Sequence, residues 1–181
     1  FALGVMGMEG DDVVRRLVAA GLYDRNKQLV VPPTPLRVGV VASSSSAAWA
    51  DFVHELERSG FAFILRQIEV RVQGEHAVGE VSAALRTLSR HTDLDVVVLI
   101  RGGGSRTELA TFDHESIATA IATCALPVFT GPGHEIDRSV PDEVAHSPPR
   151  TPTACPAALH DPVQADARRV GKEGGSRGAP R

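Results

Sequence analysis

The chain has 181 residues, 43% of them hydrophobic, 23% charged and only 4% aromatic, with a formal net charge of −3. That is room for one full domain with a sizeable, largely aliphatic core, and the mild acidity argues against strong autonomous DNA binding. No apolar run approaches the ~20 residues of a membrane span. The two cysteines, Cys124 and Cys155, lack metal-ligand spacing, so a cytoplasmic protein with free thiols is expected.

The chain opens on Phe1, which suggests a piece of a longer protein. Residues 1–8 read as the tail of a preceding element. Val13, Val14, Leu17 and Val18 then recur on one helical face, with Asp11 and Asp12 in the first turn and Gly21 as C-cap. Residues 24–35 are polar, then proline-rich, and read as a linker. RVGVVA at 37–42 is a predicted strand. Residues 43–46 are a serine loop with N-cap candidates, followed by a helix that turns Trp49, Phe52, Val53 and Leu56 inward and leaves Asp51 on the other side. Residues 61–72 read as a strand, and 75–90 as a helix with Val78, Val81, Leu85 and Leu88 inward. VVVLI at 96–100, within DVVVLIRGGGS, is a β-branched run without alternation, the pattern of a strand buried on both faces. A helix over 113–124 and a strand over 126–130 follow.

This βαβαβαβ order predicts an α/β fold, a doubly wound, mostly parallel sheet with helices on both faces. The expected division is residues 1–35, a helix and linker from a domain outside this sequence; 36–147, the α/β core; and 148–181, a Pro/Gly-rich, partly disordered tail.

Two polar motifs leave the predicted strands at the same edge, where parallel α/β sheets bind ligands. In RGGGS, the N–H groups of Gly102, Gly103 and Gly104, with Ser105 closing the turn, make a phosphate cradle, and the Arg101 guanidinium forks onto phosphate oxygens. The bland alternative is a flexible strand-to-helix turn. In GPGHEID, His134 suits a general acid or base, with Glu135 and Asp137 to orient it or bind a metal. Alternatively this is a turn and an exposed acidic helix start. A serine-hydrolase reading would need one of residues 43–46 as nucleophile, but no G-x-S-x-G elbow is present, and a serine run is more often a loop and cap. Glu108 and Asp113 read as solvated and Gln73-Gly74-Glu75 as a helix start that could line a groove. His54, His76, His91, His114, His146 and His160 read as surface histidines.

The motifs in combination, AAGLYDRNK (19–27), RVGVVASSSSAAWADFVHEL (37–56), VRVQGEHAVGEV (70–81), DVVVLIRGGGS (95–105), ELATFDHESIATAI (108–121), PVFTGPGHEID (127–137) and RTPTAC (150–155), resemble the exodeoxyribonuclease VII large-subunit family. The resemblance implies the catalytic core of a bacterial, cytoplasmic nuclease that degrades single-stranded DNA from either end to short oligonucleotides, in complex with a small helical subunit. Carried over residue by residue, it makes Asp51, Arg101, His134 and Asp137 the cleavage residues. It also implies that no cofactor is required, while Asp51 and Asp137 leave a magnesium route open. The family's OB-fold domain and long helical extension, which carries the small subunits, have no counterpart in these residues. Ser44 to Ser46 stand where the family has Pro-Thr-Gly, and Ala50 where it has arginine. The competing expectation is a catalytically weakened nucleotide- or phosphate-binding module.

Overall fold

The computed structural model describes residues 8–100, 112–131, 139–146 and 159. Four strands, β1 (Arg37–Ala42), β2 (Ile64–Glu69), β3 (Val96–Ile100) and β4 (Val128–Gly131), form one sheet in the order β2-β1-β3-β4. Every pairing is parallel, with Val38 opposite Val96, Val41 opposite Leu99, and Ile100 opposite Gly131. The expected α/β, doubly wound parallel fold is what the chain adopts.

The strands sort their side chains by parity. Val38, Val40 and Ala42 of β1 and Val96, Val98 and Ile100 of β3 point to one face, where they meet Phe52 and Leu56 of α2 (Ala47–Arg58). Val41, Val97 and Leu99 point to the other. There they meet α1 (Met8–Ala19) through Leu17, α3 (Ala77–Leu88) through Val81, Leu85 and Leu88, and α4 (Glu115–Ala122) through Ile117 and Ile121. All five residues of β3 are buried, as its unbroken apolar run requires. Gly39 sits in β1 because a Cβ there would stand 2.9 Å from Leu94 Cδ1 and 3.1 Å from both Leu88 methyls.

Local signals account for the helix ends. Ser46 caps α2, its Oγ accepting the Trp49 N–H at 3.1 Å. Gly21, at φ +68°, closes α1 in a Schellman motif: its N–H donates to the Val18 carbonyl, and the Leu22 N–H to Leu17. Pro141 lies in the first turn of α5 (Val140–Val144), where its missing N–H removes no intrahelical bond. Three expectations change. Val18 is 55% exposed, because the stripe reaches the core through Val13 and Leu17, with Val14 packed at its margin. Strand β2 is shorter than residues 61–72, because only six of its residues find partners in β1. Trp49 and Val53 are partly buried at the margin of their cluster rather than inside it.

The segment read as a linker begins with a buried anchor. Asn26, fully buried, donates Nδ2–H to the carbonyls of Ile121 (3.1 Å) and Leu126 (3.0 Å), and its Oδ1 accepts the Val128 N–H at 2.9 Å. One amide side chain thus satisfies backbone groups at both ends of the turn between α4 and β4, in a buried or part-buried setting. Replacing it with alanine strands them, and each buried orphan costs ~1–3 kcal/mol. We expect Asn26→Ala to lower unfolding free energy by about 2–4 kcal/mol in urea titrations. A loss below about 0.5 kcal/mol would show the anchor to be dispensable.

Candidate active site

Parallel strands bring all their carboxyl ends to one edge, and the sheet order decides what meets there. From β1 the chain enters the serine loop and α2; from β3 it continues into RGGGS, and from β4 into the GPGHEID motif. These three strands are consecutive neighbours, and β2 lies outside them. The order reverses between β1 and β3, which is the switch point where open α/β sheets form their crevice. Arg101, Gly102, Gly103, Gly104, Ser105, His134 and Asp137 lie outside the described residues. Asp51 is described: it is exposed, in the second turn of α2, and no described residue bonds to it.

The serine loop is a cap. Ser46 Oγ donates to the Ser43 carbonyl at 2.8 Å while accepting from Trp49, and the Ser43 and Ser45 hydroxyls pair at 3.0 Å. Glu69, at the end of β2, accepts the Ser44 N–H on both carboxylate oxygens at 3.1 and 2.9 Å. Among the described residues no histidine bonds to these serines, so nothing there supports a serine nucleophile.

The turn after β2 is held from α3. The Arg71 N–H and Nε–H donate to Glu80 at 2.7 and 2.8 Å, and the Arg71 Nη2 also bonds that carboxylate. These bonds, the side-chain ones first, hold the Glu80 carboxyl below its ordinary value of 4.5 and push the Arg71 guanidinium further up. Gly74 and Glu75 do line a groove: an open cleft of about 650 Å³ shared with α1 and the start of α4. Glu9, Asp12, Asp113 and Glu115 also line it, and its arginine, Arg16, is already paired with Glu115 at 2.9 Å. An acidic cleft on the α1–α3–α4 face repels phosphate. Asp51 belongs to the helix on the opposite face, so QGE does not join it.

The approach to α5 is densely bonded among the described residues. Asp142, 5% exposed, accepts from Thr130 Oγ1–H at 2.7 Å, Ser139 N–H at 3.0 Å and Ser139 Oγ–H at 2.7 Å. Asp113 is not simply solvated: its Oδ1 accepts the Val140 N–H at 2.7 Å. His146 is not a surface histidine either. It is half-buried against Phe129, and Nε2–H donates to the Leu29 carbonyl at 2.7 Å. Sequence reasoning missed Asn26, Glu80 and Asp142. The last had a legible signal, the S-x-x-D spacing of Ser139 and Asp142 that marks a capping box.

The comparisons with known proteins identify the family. The family model described as "Exonuclease VII, large subunit" matches residues 22–174. The chain belongs to the exonuclease VII large-subunit family. Among curated relatives named exodeoxyribonuclease 7 large subunit, that of Geotalea uraniireducens is 38% identical over 153 residues, covering 84% of this chain and 34% of the relative. That of Nitrosomonas eutropha is 34% identical, covering 91% and 36%, and that of Thioalkalivibrio sulfidiphilus 36% identical, covering 89% and 36%. The chain therefore spans about a third of the length of the exonuclease VII large subunits it matches. Among the described residues no helix is long and apolar enough to cross a membrane, and no three metal-ligating side chains converge.

The Arg71–Glu80 tie gives a pH prediction. A carboxyl lowered in the folded state contributes fully above its unfolded range, and the contribution is lost as pH falls through the lowered folded value. Amide protection of Arg71 should therefore be constant at neutral pH and fall in acid, below the ordinary glutamate value of 4.5. In Glu80→Gln it should be weaker at neutral pH and lose that acid step. Hydrogen exchange followed by NMR measures both. An acid step that persists in the variant would assign the titration to another group.

Proposed function

We propose that this chain carries the catalytic core of an exonuclease VII large subunit and hydrolyses phosphodiester bonds of single-stranded DNA from its ends, releasing short oligonucleotides. The observation that carries the reading is the strand order. It makes neighbours of β1, β3 and β4, the three strands that lead into Asp51, RGGGS and GPGHEID. Family membership supports the same reaction.

In this reading the N–H groups of Gly102, Gly103 and Gly104, with Ser105, receive the scissile phosphate. Arg101 forks onto its oxygens and stabilises the additional charge on pentacoordinate phosphorus. His134 takes the proton of the attacking water or delivers one to the departing oxygen. Asp137 and Asp51 fix which imidazole nitrogen carries the proton and favour the imidazolium that forms. The histidine does the proton transfer, and chelation is expected to leave cleavage intact. A small helical subunit and single-stranded DNA are the partners of the assembled, cytoplasmic enzyme. The acidic cleft beside α1 leaves the α2 side of the edge as the strand's route.

The test is oligonucleotide release from end-labelled single-stranded DNA, with the small subunit supplied and with or without EDTA. His134→Ala should lower release by about 10²–10⁴-fold, the usual size of a lost general acid or base. Asp51→Asn should lower release while changing stability by less than about 0.5 kcal/mol, because that carboxylate is exposed and no described residue bonds to it. Undiminished release by His134→Ala would refute the histidine mechanism, and abolition by EDTA would replace it with a metal-dependent one.

A further inference from the structure

Asp142 does more than cap its helix. A capping box needs the side chain at the fourth position to reach back to the N-cap N–H, and Oδ2 does this, taking the Ser139 N–H and its hydroxyl. Oδ1 is committed elsewhere, to the hydroxyl of Thr130 in the adjoining strand at 2.7 Å. Thr130 and Ser139 are themselves 3% exposed. A single buried carboxylate therefore bonds the residues on either side of 131–138, the stretch that contains GHEID. The neighbouring bonds hold the same corner: Val140 N–H to Asp113 at 2.7 Å, Tyr23 Oη–H to Glu143 at 2.8 Å, and His146 N–H to the Val128 carbonyl at 2.8 Å.

Burying a carboxylate is expensive, and an apolar side chain of similar volume commonly gives equal or greater stability. What an apolar residue cannot do is fix the distance between two polar groups on separate elements. The geometry points to Asp142 as a positioning residue for the reaction proposed above, one that sets where the segment bearing His134 and Asp137 leaves β4 and where it re-enters at α5. It acts through Thr130 and Ser139, and the inference rests on the reading that GHEID performs the chemistry.

Hydrogen exchange on the full chain, read by peptide mass spectrometry, tests the clamp without requiring activity. Asp142→Asn turns one acceptor into a donor, and Thr130→Val removes the strand-side hydroxyl at nearly constant volume. Each should speed exchange in peptides spanning 132–138 by about tenfold while peptides from β1 and β3 are unchanged. Thr130→Ser keeps the hydroxyl and should restore the native rate. If Asp142→Asn does not fold, the Thr130 pair decides. Native exchange across 132–138 in Thr130→Val, or equal acceleration in every peptide, overturns the inference. In the cleavage assay with the small subunit supplied, Thr130→Val should lower kcat by about tenfold with KM held within about threefold. An unchanged kcat beside an inactive His134→Ala rejects the clamp and keeps the site. An active His134→Ala rejects the site, and the exchange rates still judge the clamp.

Discussion

Strand β3 is buried at every position, and a buried backbone must find a hydrogen-bond partner for each amide and carbonyl. With no water on either face, those groups can pair only with strands on both sides. That requirement seats β1 on one edge of β3 and β4 on the other, in parallel register. Parallel pairing sends each connection back across a face of the sheet, so the helices cover both faces and the turns gather at the two ends. Everything argued for the functional edge follows from this. The segments leading to Asp51, RGGGS and GPGHEID share an edge because an all-apolar strand needs neighbours.

Polar side chains finish what the apolar core begins. Where a turn approaches the interior, its backbone groups lose water and a side chain has to replace it. Asn26 does so between α4 and β4 and Asp142 between β4 and α5, while Glu80 ties down the exposed turn after β2. Each bonds backbone or hydroxyl groups on a second element and so fixes a connection that packing alone would leave loose. Two of the three hold turns at the carboxyl edge, where a reaction would need fixed geometry.

The fold was legible because its signals are local. RVGVVA and DVVVLI are β-branched runs, and Phe52 and Leu56 repeat at helical spacing on α2. Strand β2 was overread because apolar residues continue past its ladder: Val70 is buried and its N–H bonds the Ala42 carbonyl at 3.2 Å, but the register with β1 ends at Glu69. Asn26 was illegible because it serves backbone groups 95 to 102 residues away, which leaves no mark in its own neighbourhood. Asp142 was half legible. Its spacing from Ser139 marks a helix start, but the bond to Thr130 depends on β4 lying alongside. Asp51 was placed correctly on the open side of α2. Arg101, His134 and Asp137 were proposed from their motifs and the strands that precede them, and they lie outside the described residues.

If Asp51 and His134 serve one reaction from the strands on either side of β3, they act as a unit, and residues that act as a unit are not additive. The most direct test is a double-mutant cycle on oligonucleotide release by the chain assembled with its small subunit, using Asp51→Asn, His134→Ala and the pair. The account predicts that the double variant is no slower than His134→Ala alone, to within about twofold. Losses that multiply would place the two residues in separate roles and contradict it.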